Sequence, residues 1–143
     1  MTRFVRVLQF GILIIAFQAC SSGVSQDTRQ WAPTAVTDFK SVAGTWEGIL
    51  SGVAGPRADE DWVRLTISET GAYEFASYRT IGVFSGKGKF NLTDGKLTAQ
   101  SDKGKMALQL FREPAKGEHM LRAEAATSDG QKYLAQLNRR GSS

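Results

Sequence analysis

The sequence predicts an all-β domain: an antiparallel up-and-down meander of about eight strands, closed or nearly closed into a barrel. Three observations carry this expectation. From Gly44 onward apolar and polar residues alternate with a period of two, as where Val63, Leu65 and Ile67 interleave with Arg64, Thr66 and Ser68. Turn clusters recur at short, even spacing, centred near residues 95, 104, 116 and 130. Asp94-Gly95 is the strongest hairpin signal in the chain, because a type I′ turn needs positive φ at both central positions. An open meander would leave two strand edges exposed to other chains, and closure removes them.

The elements follow in order. Trp46-Glu47-Gly48-Ile49-Leu50 opens the meander, and the loop from Ser51 to Asp61 carries Gly52, Gly55 and Pro56. After the strand through Ile67, Glu69-Thr70-Gly71 turns the chain. Tyr73, Phe75 and Ser77 then alternate with Glu74, Ala76 and Tyr78. In the stretch from Val83 to Leu92, Gly86 and Gly88 suggest a bulge or sharp bend. Beyond Asp94-Gly95 come a strand from Lys96 to Gln100 and the turn Ser101-Asp102-Lys103-Gly104. Met106, Leu108 and Leu110 alternate with Ala107, Gln109 and Phe111 before Pro114-Ala115-Lys116-Gly117 turns again. Leu121, Ala123 and Ala125 make the next inward row, and Ser128-Asp129-Gly130 leads to a last strand, Lys132 to Arg139. The alanine-rich stretch from Leu121 to Ala126 has helical propensity but lies between two turn clusters, so it reads as strand. Residues 36 to 43 are the one segment that looks capable of a short helix.

Upstream of this domain the chain changes character. Arg3 and Arg6 precede an apolar run from Val7 to Phe17, broken by Gln9 and ending in Phe17-Gln18-Ala19-Cys20. A charged n-region, a short h-region and a small residue at the cut make a secretory signal. The single cysteine follows directly, then Ser21-Ser22-Gly23, a pattern that resembles the lipobox of bacterial lipoproteins. The resemblance implies cleavage between Ala19 and Cys20 and a diacylglyceryl group on the Cys20 thiol. An uncleaved anchor helix fits less well, since the apolar run is shorter than the ~18 residues a span needs. Plain secretion with cleavage after Ser21, and a free thiol at Cys20, are the other readings.

The expected organisation is therefore a signal peptide over residues 1–19, an acylated flexible tether over 20–37 and the barrel domain over 38–141. The tether expectation rests on a mix of Ser, Thr, Gln and Ala with Pro33 and no sustained period. Trp31 either docks on the domain or sits among lipid headgroups. Each buried methylene contributes about 0.8 kcal/mol, so several acyl chains would hold the domain on a membrane. Serine after the cysteine resembles an outer-membrane address, which places the expected location in the bacterial cell envelope, lipid-anchored in the outer membrane.

Charge and cysteine count narrow the classes. Without Arg3 and Arg6 the chain keeps 16 basic side chains against 14 acidic ones, a net charge of about +2. That balance, with no Arg/Lys stripe, argues against nucleic acid as a partner. One cysteine permits no intrachain disulfide, so the fold stands on its apolar core, for which about 100 residues suffice. Residues Gly44-Thr45-Trp46 resemble the G-x-W opening of lipocalins and the G-T-W opening of avidins. The resemblance to this calycin group implies that Trp46 plugs one end of the barrel. It also implies that a basic residue of the final strand, Arg139 or its neighbour Arg140, stacks on that tryptophan. A guanidinium over an indole contributes roughly 0.5–2 kcal/mol.

Catalytic chemistry is not expected. His119 is the only histidine and has no nucleophile motif near it. Asp59-Glu60-Asp61 is an acidic triplet without the spacers and glycine turn of a calcium loop. No zinc spacing and no phosphate loop occur, so no metal or cofactor is expected. What fills the barrel is open: Ala99, Ala123, Ala125 and Ala135 would leave a cavity, whereas Trp46, Phe75, Phe84, Phe90 and Phe111 would fill it. A one-residue slip in register would reverse either assignment. For a cavity binding a small apolar or amphipathic ligand, the wall or mouth residues would be Trp46, Trp62, Tyr73, Phe75 and Tyr78, with Arg64 or Arg79 meeting a polar head. For a packed barrel serving as a non-enzymatic interaction module, an assembly accessory or inhibitor in the envelope, the contact loop would run from Ser51 to Asp61.

Overall fold

A computed structural model of the chain describes residues 30–52, 60–78 and 85–141. It contains a short N-terminal strand, β1 (Ala32–Thr34), and then β2 (Gly44–Gly52), β3 (Glu60–Ile67), β4 (Ala72–Ser77), β5 (Gly86–Lys89) and β6 (Asn91–Thr93). After these come β7 (Lys96–Ser101), β8 (Gly104–Arg112), β9 (His119–Thr127) and β10 (Lys132–Arg139). Nine strands form one antiparallel meander in the order β5-β4-β3-β2-β10-β9-β8-β7-β6. The first and last meander strands, β2 and β10, pair from Trp46↔Arg139 to Gly52↔Tyr133 and so roll the sheet up. The two ends of the path, β5 and β6, are consecutive in the chain and separated by Phe90 alone. The result is a nearly closed barrel in which one bent segment serves both edges.

That bend is why nine strands stand where the sequence suggested about eight. The Phe90 ring is buried and stacks on Tyr73, with ring centroids 4.3 Å apart. Its backbone N–H leaves the ladder to donate to the Gly71 carbonyl at 2.8 Å. Gly88 lets the Tyr73 ring lie this close, because a Cβ there would come within 2.9 Å of the phenol oxygen. At the opposite turn Asp94 and Gly95 take φ values of 51° and 71°, the all-positive pair that a type I′ hairpin demands.

Alternation decides which side chains face inward. Trp46, Val63, Leu65, Ile67, Leu97, Leu108, Leu110, Leu121 and Leu137 are buried and make a continuous core. Phe111, which the sequence offered as a barrel filler, has the opposite parity to Leu108 and Leu110. It lies outside, where the Arg122 guanidinium carbon sits 4.9 Å from its ring centroid. Phe84, the other uncertain filler, is outside the described residues.

Two expectations for the N-terminal segment give way to a docked structure. Residues 36–43 form no helix: Val42 and Ala43 donate to Phe39 and Lys40, three residues back, and Asp38 Oδ1 accepts from Ser41 N at 2.8 Å. These bonds make one tight turn before Gly44, and that turn lies across the end of the barrel. Residues 30–37, within the stretch read as tether, run along the barrel wall. β1 pairs with the end of β8 through Ala32↔Arg112, Pro33↔Phe111 and Thr34↔Leu110. Just beyond it Val36 is buried and donates its N–H to Gly95 O at 2.9 Å. β7 pairs with β8 only as far as Leu108, so β1 covers the backbone edge that β7 leaves bare. Trp31 is partly buried beside this strand. Residues 1–29, including Ala19 and Cys20, lie outside the described residues.

Candidate functional site

The interior is not filled evenly. Toward the end crossed by the 38–43 turn, the inward positions are Trp46, Ile67, Leu97, Leu110 and Leu137, all buried. Toward the other end β7, β9 and β10 present Ala99, Ala123, Ala125 and Ala135. Side-chain volume thus falls along the barrel axis, and the open half holds a cavity of about 510 Å³. Its floor and walls are apolar, from Leu50, Phe75, Met106, Ala123, Ala125 and Ala135. Polar groups gather toward the mouth: Ser85, Ser101, Asp102, Lys103, Thr127 and Lys87. Tyr73 and Tyr133 line it too, and the Tyr133 hydroxyl donates to Gln131 at 2.5 Å. At the lip, the Ser77 hydroxyl donates to Asp61 across β3 and β4.

The closed end is held by a tight polar set around one indole. Trp46 has no exposed surface, and its Nε1 donates to Val42 O at 2.8 Å. The Arg139 guanidinium carbon lies 5.1 Å from the centre of the Trp46 ring. One Arg139 nitrogen donates to Ala43 O at 2.7 Å and Ser41 O at 3.2 Å. Arginine and indole together therefore fix the turn over the barrel end. Arg140, the alternative in sequence, points elsewhere and pairs with Glu47 at 3.4 Å.

The residues singled out for a ligand divide between two faces of the sheet. Tyr73 and Phe75 line the cavity, and Trp46 lies under its floor at the closed end. Trp62 and Tyr78 sit on the outside, about half exposed. Arg64 is on the outside as well: its Nε donates to Glu47 at 2.7 Å, a bond that pushes its pKa up. Its guanidinium carbon lies 5.2 Å from the Tyr78 ring centre. Arg64 thus does not meet a head group in the cavity, because it has the parity opposite to Val63 and Leu65. Arg79 lies outside the described residues, as does most of the loop from Ser51 to Asp61. The basic groups at the mouth are instead Lys87 and Lys103, in a glycine-rich strand and a tight turn whose lysines read as ordinary solvated charge. Met106 and Tyr133 were visible as inward by alternation, but not as neighbours, since register alone brings them together across β9.

His119 is cross-strand from Arg112 at the closed end, far along β9 from the cavity. Burial lowers its pKa first, and the charges of Arg112 and Arg139 lower it further. Among the described residues no group of three or more His, Cys, Asp or Glu side chains is placed to hold a metal ion. No family model, curated protein or solved structure matches this chain.

Proposed function

We propose that this chain is a bacterial envelope lipoprotein, anchored in the outer membrane through an acylated Cys20, whose barrel binds a small apolar or amphipathic ligand. The single observation that carries the binding half is the cavity of about 510 Å³ with an apolar floor and a polar, partly basic mouth. Ligand pockets run from roughly 300 to 1,000 Å³ and are mostly apolar with a few placed polar groups. A chain-like apolar portion would lie against Phe75, Met106 and the alanines. A polar end would remain near Ser101, Thr127 and the two lysines, where it keeps its hydrogen bonds instead of losing them on burial. The calycin-like opening Gly44-Thr45-Trp46, with Arg139 on the indole, supports the same reading. The chain acts by holding its ligand, without catalysis. The lipobox-like Ala19-Cys20 junction supports the anchor.

The test is titration of an environment-sensitive apolar dye into the full-length protein in mild detergent. Saturable fluorescence is expected. The Ala125→Phe variant, which puts a ring into the cavity, should lose at least tenfold in affinity, about 1.4 kcal/mol, while still folding. A dye signal that never saturates, or one indifferent to Ala125→Phe, would sink the reading. Native mass spectrometry of the membrane-extracted protein reads the acyl groups on Cys20 and any bound ligand mass together.

A second reading, a protein-interaction module, is favoured by the outer face. Ile49, Trp62, Tyr78 and Leu134 are each 45–54% exposed. They lie on adjacent strands, with Ile49 paired to Trp62 and Tyr78 N donating to Trp62 O. Contiguous exposed apolar surface of this kind marks contact sites. Replacing Ile49 and Trp62 together by serine should remove a co-purifying partner and leave dye binding unchanged.

A further inference from the structure

Among the described residues the barrel wall is open along one seam. β5 pairs with β4 on one side and with no strand on the other among the described residues. β7 pairs with β6 only through Lys96, Leu97 and Thr98. The backbone edge of Ala99, Gln100 and Ser101 therefore faces the edge of Gly86–Lys89 without a ladder between them. The two edges diverge from Phe90, and their Cα atoms stand more than 8 Å apart along nearly the whole seam. Paired strands lie about 4.8 Å apart, so one strand set between two edges needs roughly twice that. That spacing excludes direct pairing of β5 with β7, so among the described residues neither edge completes the other's ladder. At Gly86, opposite Phe75, an added Cβ would point toward the cavity and meet nothing within 4 Å, so the inner face of the seam is open there.

Two different surfaces meet at this seam. On its inner side lies the apolar cavity wall of Phe75, Met106 and Tyr73. On its outer side are Lys87 and Lys89 of β5, Lys105 opposite Gln100, and Lys103 in the adjoining turn. Glu74, opposite Lys87, Asp102, and Glu124, which shares an outer hollow with Gln100 and Lys105, are the carboxylates beside them, so four lysines against three carboxylates leave the rim net positive. Unpaired strand edges are templates for another strand, and natural sheets guard them with lysines or with a partner. Here the lysines also select the partner.

We propose that the seam is a strand-addition site that takes an extended segment of a partner protein, apolar at alternate residues and acidic between them. The segment's backbone completes the ladders of β5 and β7, and pocketed side chains supply specificity. With a period of two, every second side chain enters the cavity and the others lie among the lysines. A second copy of this chain fits poorly, since its own lysine-bearing edge would meet like charge. This goes beyond ligand binding: the seam is a protein contact that uses the cavity wall from the side.

The experiment titrates a fluorescein-labelled synthetic peptide of alternating valine and glutamate into the full-length protein in detergent, read by anisotropy. One peptide per protein is expected, with displacement of the apolar dye. The same peptide N-methylated at alternate residues should not bind, because its ladder donors are gone. The double variant Lys89→Glu, Lys105→Glu, exposed on the outer face, should weaken the peptide about tenfold and leave dye binding intact. Absence of peptide binding, equal binding of the methylated peptide, or dimerisation of the protein through the seam in sedimentation would overturn the proposal. Dye binding without peptide binding would remove this site alone and leave the cavity's ligand reading standing.

Discussion

At the scale of single residues, the closed end depends on Trp46 and Gly48. Trp46 contributes apolar burial, a hydrogen bond to Val42 and a face for Arg139. Trp46→Ala should therefore lower stability by about 3–5 kcal/mol, the range for a large aromatic removed from a core, as read by urea unfolding. An unchanged unfolding midpoint would dissolve the plug argument. Gly48 has a different reason to be small. A Cβ at this position would lie 1.8 Å from the Gln136 carbonyl oxygen, which is backbone and cannot swing aside. Gly48→Ala should force β2 and β10 apart and cost about 3 kcal/mol, although alanine is otherwise the mildest substitution. In the sequence Gly48 reads only as a weak point in a strand. Its cause appears when β10, nearly ninety residues later, crosses it.

At the scale of elements, the segment before Gly44 belongs to the barrel. β1 extends the wall beside β8, Gln109 Nε2 donates to Thr34 O at 3.0 Å, and Val36 is buried with the core. Seating a charge there, as in Val36→Asp, should cost about 3 kcal/mol. It should also expose residues 30–37 to limited proteolysis before the rest of the domain. Equal protease resistance in variant and parent would show that the segment's pairing is not needed. This element was hidden in the sequence because Ala32-Pro33-Thr34 has neither length nor alternation. What makes it a strand is a vacant edge on β8, supplied by distant chain. The short helix expected over 36–43 fails for a related reason. Trp46 and Arg139 both take carbonyls of this segment as acceptors, and those bonds hold a turn across the barrel end.

At the scale of the whole molecule, the gradient from leucine to alanine along the axis makes one barrel serve two purposes. Its lower half is packed like any small core, and its upper half keeps a cavity without weakening the closure of β2 on β10. One pH-sensitive group sits at the packed end. His119 has a folded-state pKa below its ordinary 6.5, since burial and the nearby Arg112 and Arg139 charges disfavour the imidazolium. Across that interval the unfolded chain binds the proton more readily, so stability is full above 6.5 and falls as pH drops from there through the depressed folded value. The melting temperature should thus decline as pH falls below about 6.5, and His119→Gln should flatten that decline. A parallel decline in both proteins would assign it to other groups.

Legible in the amino-acid order alone are the class of fold, the order of strands, the Asp94-Gly95 hairpin and the inward rows of Val63–Ile67, Met106–Leu110 and Leu121–Ala125. All of these depend on local chemistry: a period of two, and turn residues that tolerate positive φ. Tertiary structure decided the rest. The bend at Phe90, the docking of β1 and the outward placement of Phe111 and Arg64 follow from which strands meet and in what register. So does the cavity, whose volume is a difference between facing side chains that no single strand contains. Alternation says that a residue lies inside; only the closed sheet says whether anything stands opposite it.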